Sequence, residues 1–261
     1  PAANLGLASL GSRPTVLLND DTVPQPDFLA ELARSIEGEG IYQPAILFPD
    51  GSVDNTGHWL FWDGFNVARE RGELQGEINS DCGAFSGAAV MFTPQVLAQV
   101  GHFDADFGAF GEDLDLSLRA VRRGFSIRHA PQAKIIHHLG ATYGRSTPRK
   151  VFLIERNRTA AAIRSLPLPA IAALPATTSV RLAIMGLRAL RGEGLGHSLG
   201  WKGAAAAVAG IMAGTIGARR AWAKRQGDRA CWTATDGEMW AHLSQTQAPW
   251  RKLAGESITA H

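Results

Sequence analysis

The chain has 261 residues, 45% apolar and 19% charged, a composition that suits a globular protein with a sizeable core and excludes a disordered or fibrous one. Its two cysteines, Cys82 and Cys231, are too few and too far apart for a disulfide framework or a thiolate zinc site, so a reducing compartment is expected. The net charge of +2 hides an asymmetry: residues 1–144 carry 9 Lys/Arg and 18 Asp/Glu, whereas residues 145–229 carry 15 and 3.

An acidic body is thus followed by a basic segment of net +12, for which phosphates or an anionic lipid surface are the expected partners. No nucleic-acid recognition motif is present, so nucleic acid is not expected as a partner.

The opening PAANLGLASLGSRP has no basic start followed by an apolar run, so no secretory leader is expected. Residues 15–18 read as a buried strand ending on Asn19, Asp20 and Asp21, and residues 26–36 as a helix with Leu29, Leu32 and Ile36 on one face. Residues 43–53 predict a second strand with a turn at Pro49, Asp50 and Gly51, and the polar stretch to Asp81 a long loop. A third strand over 88–92 runs into a helix with Gly101 past its end. An acidic loop precedes a helix over about 113–123 stopped by Gly124, and a last strand covers 133–136. The alternation implies an α/β domain with a mostly parallel sheet.

Beyond residue 150 the chain turns to Ala/Leu/Arg-rich helices punctuated by Pro167, Pro169 and Pro175. Two regions are expected, 1–150 and 151–261. The most apolar stretch, 203–218, has 16 residues, short of the roughly 20 needed to span a bilayer, and predicts a buried or interfacial helix. Trp222, Trp232, Trp240 and Trp250 are read either as interfacial anchors or as ordinary packing residues.

Three clusters carry the chemistry. In an open α/β sheet, ligands sit beyond the carboxyl ends of the strands, where Asn19, Asp20 and Asp21 lie. Packed carboxylates are tolerated when solvent-exposed or when a cation neutralises them, and oxygen ligands in a loop suit Mg²⁺ or Mn²⁺; the bland alternative is a turn or helix cap. Glu112, Asp113 and Asp115 open a helix whose dipole favours the ionised form. His137 and His138 end the last predicted strand, where an imidazole can complete a carboxylate metal site.

The runs VLLNDDTVPQPDFLAEL, FSGAAVMFTPQVLAQVGHFDADFGAFGEDLDLSLRAVRRGF, IIHHLGAT and RKVFLIERNR, in that order, resemble the inverting glycosyltransferases of family 2, in particular the bacterial rhamnosyltransferase-like branch, over residues 4–225. The resemblance implies a GT-A (Rossmann-like) α/β fold with a basic C-terminal helical region. It implies a divalent metal, Mg²⁺ or Mn²⁺, at Asp21 with Asn19, Asp20 and His137. Asp113, beside Glu112, becomes the general base that deprotonates the acceptor hydroxyl. Gly87, Asp115, Arg156, Asn157, Arg158 and His138 are the implied substrate-binding set.

The implied reaction moves a sugar, rhamnose as one candidate, from a nucleotide-diphosphate sugar to a cell-envelope glycan or lipid-linked acceptor. It is placed in the cytoplasm, peripheral at the inner face of the plasma membrane, and a homo-oligomer is compatible with it. Such chemistry needs a cation to offset charge on the leaving diphosphate and a carboxylate on the opposite face of the sugar. The family's opening strand, TYN-like turn and second strand are not found in the chain, which predicts an N-terminally truncated fold with weak transfer. The alternative is a non-catalytic remnant or binding module of the same fold; a two-carboxylate glycoside hydrolase is a third reading.

Overall fold

The structure is a computed structural model that describes residues 2–10, 13–71, 81–138, 147–192 and 194–249. Helix α1 (Ala2–Ser9) leads to β1 (Thr15–Leu18), β2 (Thr22–Pro24), α2 (Phe28–Arg34) and β3 (Gly40–Leu47). Three short strands follow, β4 (Val53–Asn55), β5 (His58–Leu60) and β6 (Asn66–Ala68), and then β7 (Ala89–Phe92), α3 (Pro94–Val100), α4 (Glu112–Arg122) and β8 (Ser126–His137). The remainder is helical: α5 (Pro148–Ser165), α6 (Leu168–Ala189), α7 (Gly194–Ile216), α8 (Ala218–Arg229) and α9 (Asp236–Gln245).

The central sheet runs β1-β7-β3-β8-β2, with β4 added beside β3. The α/β class holds, but the expected mostly parallel order does not: among the described pairings in this sheet only β3 with β8 is parallel. Strands β3 and β8 are joined by a long crossover through α3 and α4, as parallel neighbours require. The other partners are three- or four-residue strands that enter from turns or from the 48–88 segment and pair in the opposite sense.

Strand β3 is buried along its whole length and feeds two cores. On one face Ile41 joins Phe85, Phe92, Leu114, Leu118 and Ile127 beneath α3, α4 and α5; on the other Tyr42 and Ile46 meet Phe28 and Leu32 of α2, as the two-residue period of a strand dictates. Ala161, Ala162 and Leu166 of α5 and its C-terminal end, with Met239 and Leu243 of α9, belong to the first of these cores. The helical region is therefore continuous with the core of the sheet.

The tryptophans divide. Trp232 stacks under Arg122 and Arg225, and Trp240 packs on Trp62, while Trp222 stays 40% exposed; Trp250 lies outside the described residues.

Candidate active site

Residues 19–21 carry the chain from the β7 side of the sheet to the β8 side. Asn19 N–H donates to Ala88 O (2.9 Å), Thr22 N–H closes a turn on Asn19 O (3.2 Å), and His138 N–H donates to Asp21 O (2.9 Å). Thr22 then pairs with His137 in the β2–β8 ladder. These bonds put the Asp21 carboxylate against the end of β8, with Oδ1 3.3 Å from His137 Nε2. Asn19 and Asp20 are exposed on the turn, as is His138.

The other ring nitrogen of His137 meets a partner that sequence reasoning missed. Asp54, on β4, lies 2.6 Å from His137 Nδ1 and 2.5 Å from an Arg71 guanidinium nitrogen, and its side chain is nearly fully buried. Burial by itself would lower the His137 pKa, but the hydrogen bond and charge of Asp54, joined by the charge of Asp21, raise it above the ordinary histidine value. Asp54 sits in the polar stretch that the sequence reads as a long loop.

The second cluster forms at the start of α4. Phe110 and Gly111 both take positive φ (63° and 84°), a left-handed entry that suits glycine and strains phenylalanine. Asn157 of α5 holds this entry in place, its amide nitrogen donating to Phe107 O (2.9 Å), Ala109 O (3.0 Å) and Phe110 O (2.5 Å), while Arg156 donates to Phe107 O (2.9 Å). Asp113 Oδ1 accepts from Leu114 N–H (2.8 Å) and Oδ2 faces Gly87 N–H at 3.4 Å.

Gly87 and Ala88 therefore join the two clusters: one residue meets Asp113 and the next meets Asn19. His58 lies in the field of both Asp113 and Asp54, and its pKa is lowered chiefly by burial.

Glu112 is mostly buried, its Oε2 has no hydrogen-bond partner among the described residues, and burial with the neighbouring Asp113 charge pushes its pKa up to about 7 from 4.5. Below pH 4.5 folded and unfolded chains both keep this proton; between 4.5 and 7 only the folded chain does, so stability falls as pH rises through that window. Glu112→Gln is expected to remove this slope and to raise stability at pH 8 by at most about 3 kcal/mol, as read by thermal melts across pH.

Two of the expected substrate contacts are buried in ion pairs. Asp115 lies on the core side of α4, 0% exposed, bound by Arg119 (2.8 Å) and Arg164 (3.1 Å). Arg158 is 2% exposed and bound to Glu155 (3.0 Å) and Asp63 (3.4 Å). Each has its charge satisfied by buried partners. Arg156 and Asn157 are turned to the 107–110 loop, one layer behind the acids. Among the described residues no three His, Cys, Asp or Glu side chains form a ready metal cage.

The fold and site define an α/β protein that gathers an Asp–His–Asp cluster between its strands and a Glu–Asp pair at the start of a helix beside it. The chain belongs to glycosyl transferase family group 2, whose model matches residues 15–213. It is 28% identical over 155 residues to the O-antigen biosynthesis protein RfbC of Myxococcus xanthus, a match covering 54% of this chain and 12% of that protein; the chain thus spans about an eighth of its curated relative. In structure it is similar to GalNAc-T7, solved with UDP, GalNAc and Mn²⁺, with a TM-score of 0.46, 14% identity, and coverage of 62% of this chain and 34% of that one.

Proposed function

We propose that this chain is the catalytic part of an inverting glycosyltransferase that moves a sugar, rhamnose as first candidate, from a nucleoside-diphosphate sugar to a cell-envelope glycan or lipid-linked acceptor. The observation that carries the reading is the junction at Gly87–Ala88, which sets the Asp21–His137–Asp54 relay beside the Glu112–Asp113 pair. The O-antigen relative agrees with an envelope acceptor.

Asp113 is the general base for the acceptor hydroxyl. Its carboxylate is oriented by the Leu114 and Gly87 N–H groups, and the first turn of α4 favours negative charge there. Glu112, holding its own proton up to about pH 7, limits repulsion within the pair.

Asp21 and His137 fit a divalent cation. His137 Nδ1 is taken by Asp54, which leaves Nε2 beside Asp21 Oδ1, and a carboxylate with an imidazole is a donor set that Mg²⁺ or Mn²⁺ accepts alongside phosphate oxygens. Such an ion supplies Lewis-acid stabilisation of the leaving diphosphate. Asp54 fixes the ring tautomer and orientation, as second partners of metal-binding histidines do.

The test is release of nucleoside diphosphate from a panel of nucleotide sugars, with and without Mn²⁺ or Mg²⁺, by this chain and by the longest chain its gene encodes. Metal-dependent release that Asp21→Asn abolishes is expected. Asp54→Asn is expected to weaken Mn²⁺ binding by about 10- to 100-fold, measured calorimetrically on the protein without donor. If neither chain releases diphosphate from any donor, the site is a binding module.

A further inference from the structure

The helices α6 and α7 are long and apolar enough to cross a membrane, over Leu168–Ala189 and Ser198–Ile216, yet only 17% and 22% of those windows are buried. The sequence reads the second as the 16-residue stretch 203–218; the helix takes in Lys202 as well, and Gly200 (φ 54°, ψ −142°) kinks it just before. The exposed residues include Val180, Leu187 and Leu190 (86% exposed) from α6 and its end, and Trp201 (76%), Met212 and Ile216 (80%) from α7. Large apolar side chains left in water on two adjacent helices mark an interaction surface.

The inner faces are committed elsewhere. Arg181, in the middle of α6, is buried in ion pairs with Asp63 (2.7 Å) and Glu155 (2.9 Å). On α7, Gly210 and Gly214 lie so close to α5 that a Cβ at Gly210 would collide with the Phe152 carbonyl, and one at Gly214 would stand 2.6 Å from Thr159 Cβ. Crossing a bilayer would strip both contacts and carry Arg181 into hydrocarbon, at a cost of several kcal/mol. Each helix therefore keeps one face on the protein and offers the other.

Charge identifies the occupant. Of the eleven Lys/Arg in residues 156–227, Arg158, Arg164, Arg181, Arg220 and Lys224 are ion-paired to acids of the protein, whereas Arg191, Lys202 and Arg219 are exposed at the ends of the apolar helices. A second copy of the same face would set basic residues against basic residues; anionic headgroups would neutralise them while the apolar residues enter the interface. We propose that the outer face of α6 and α7 docks in the plane of an anionic lipid bilayer, seating the domain on the membrane surface without crossing it. The proposal stands apart from the chemistry of the site.

Flotation of the full chain with vesicles of phosphatidylcholine, or of phosphatidylcholine and phosphatidylglycerol in equal parts, tests it. Expected is binding to the anionic vesicles, lost in Met212→Glu/Ile216→Glu and weakened about 30-fold in Lys202→Gln/Arg219→Gln, with circular dichroism and Tm unchanged in the second variant. The proposal fails if the anionic vesicles do not bind, or if the well-folded Lys202→Gln/Arg219→Gln variant binds as tightly as the parent. It also fails if lipid-bound protein resists alkaline carbonate extraction, which would mean that the helices cross. A dimer in sedimentation that Met212→Glu/Ile216→Glu dissolves would give the face to a second copy and overturn it too.

Discussion

Asp113→Asn is expected to lower turnover by about 10²- to 10⁴-fold with the donor KM changed only a few-fold. The amide keeps the shape of the carboxylate and can still accept from the Leu114 and Gly87 N–H groups through its oxygen, so the α4 entry and the loop clamped by Asn157 should persist. What disappears is the capacity to take a proton from the acceptor hydroxyl, a step that matters in the transition state and little for donor binding. Steady-state diphosphate release, compared with Tm, separates this from misfolding. Unchanged turnover would remove Asp113 from the chemistry; a raised donor KM with intact turnover would make it a binding residue.

The largest stability loss is expected at Arg181. Arg181 and Arg158 share Asp63 and Glu155 in a nearly water-free group, and Arg181 also stacks over Phe65 at 4.2 Å. Burial pulls the Arg181 pKa down, but Glu155 and Asp63 more than offset this; burial likewise pushes Asp63 up, and Arg181 with Arg158 holds it below the usual carboxylate range. Arg181→Leu leaves two buried acids with one cation, at a cost of about 3–5 kcal/mol, or roughly 10 °C in Tm for a chain of this size. Arg181→Lys is expected to recover little, since an ammonium cannot span both acids as the guanidinium fork does. In the Arg181→Leu background Asp63→Asn should cost less than it does alone, a non-additivity that thermal or urea melts can measure.

Where a segment carries its own periodicity, the sequence reads correctly. Strand β1 ends at Leu18 as expected because three apolar residues, Val16 to Leu18, meet three polar ones, and α4 is bounded by its acids and by Gly124, which adopts φ 80°. The first half of β8 is hard to read because Arg128, His129 and Pro131 argue against a strand; Arg128 and His129 pair in register with Tyr42 and Gln43, and Pro131 falls in the register shift between the Pro44–Ala130 and Ala45–Lys134 pairs. Strands β4 to β6 are three residues each, too short for any pattern, and with them went Asp54 and His58.

The candidate site was legible as residue types and not as an assembly. Asp21 meets His137, and Gly87 meets Asp113, through pairings between distant segments that no spacing encodes. The charged residues Asp115 and Arg158 look like ligands in one dimension because a sequence does not say which side of a helix faces the core. The acid–base asymmetry along the chain has a similar resolution: Arg164 and Lys224 from the basic segment are bonded to Asp104, and Arg181 to Asp63, so part of the charge contrast draws the two segments together.

Helix α5 has two grips on it. Gly210 and Gly214 leave α7 no slack against one side, while Arg156 and Asn157 clasp the 107–110 loop that delivers Glu112 and Asp113. Helix α5 thus links α7 to the loop that carries the carboxylates. On the proposed docking, the surface beneath α7 would set the height of the Glu112–Asp113 pair above it, so an acceptor hydroxyl would have to stand off that surface by the same distance.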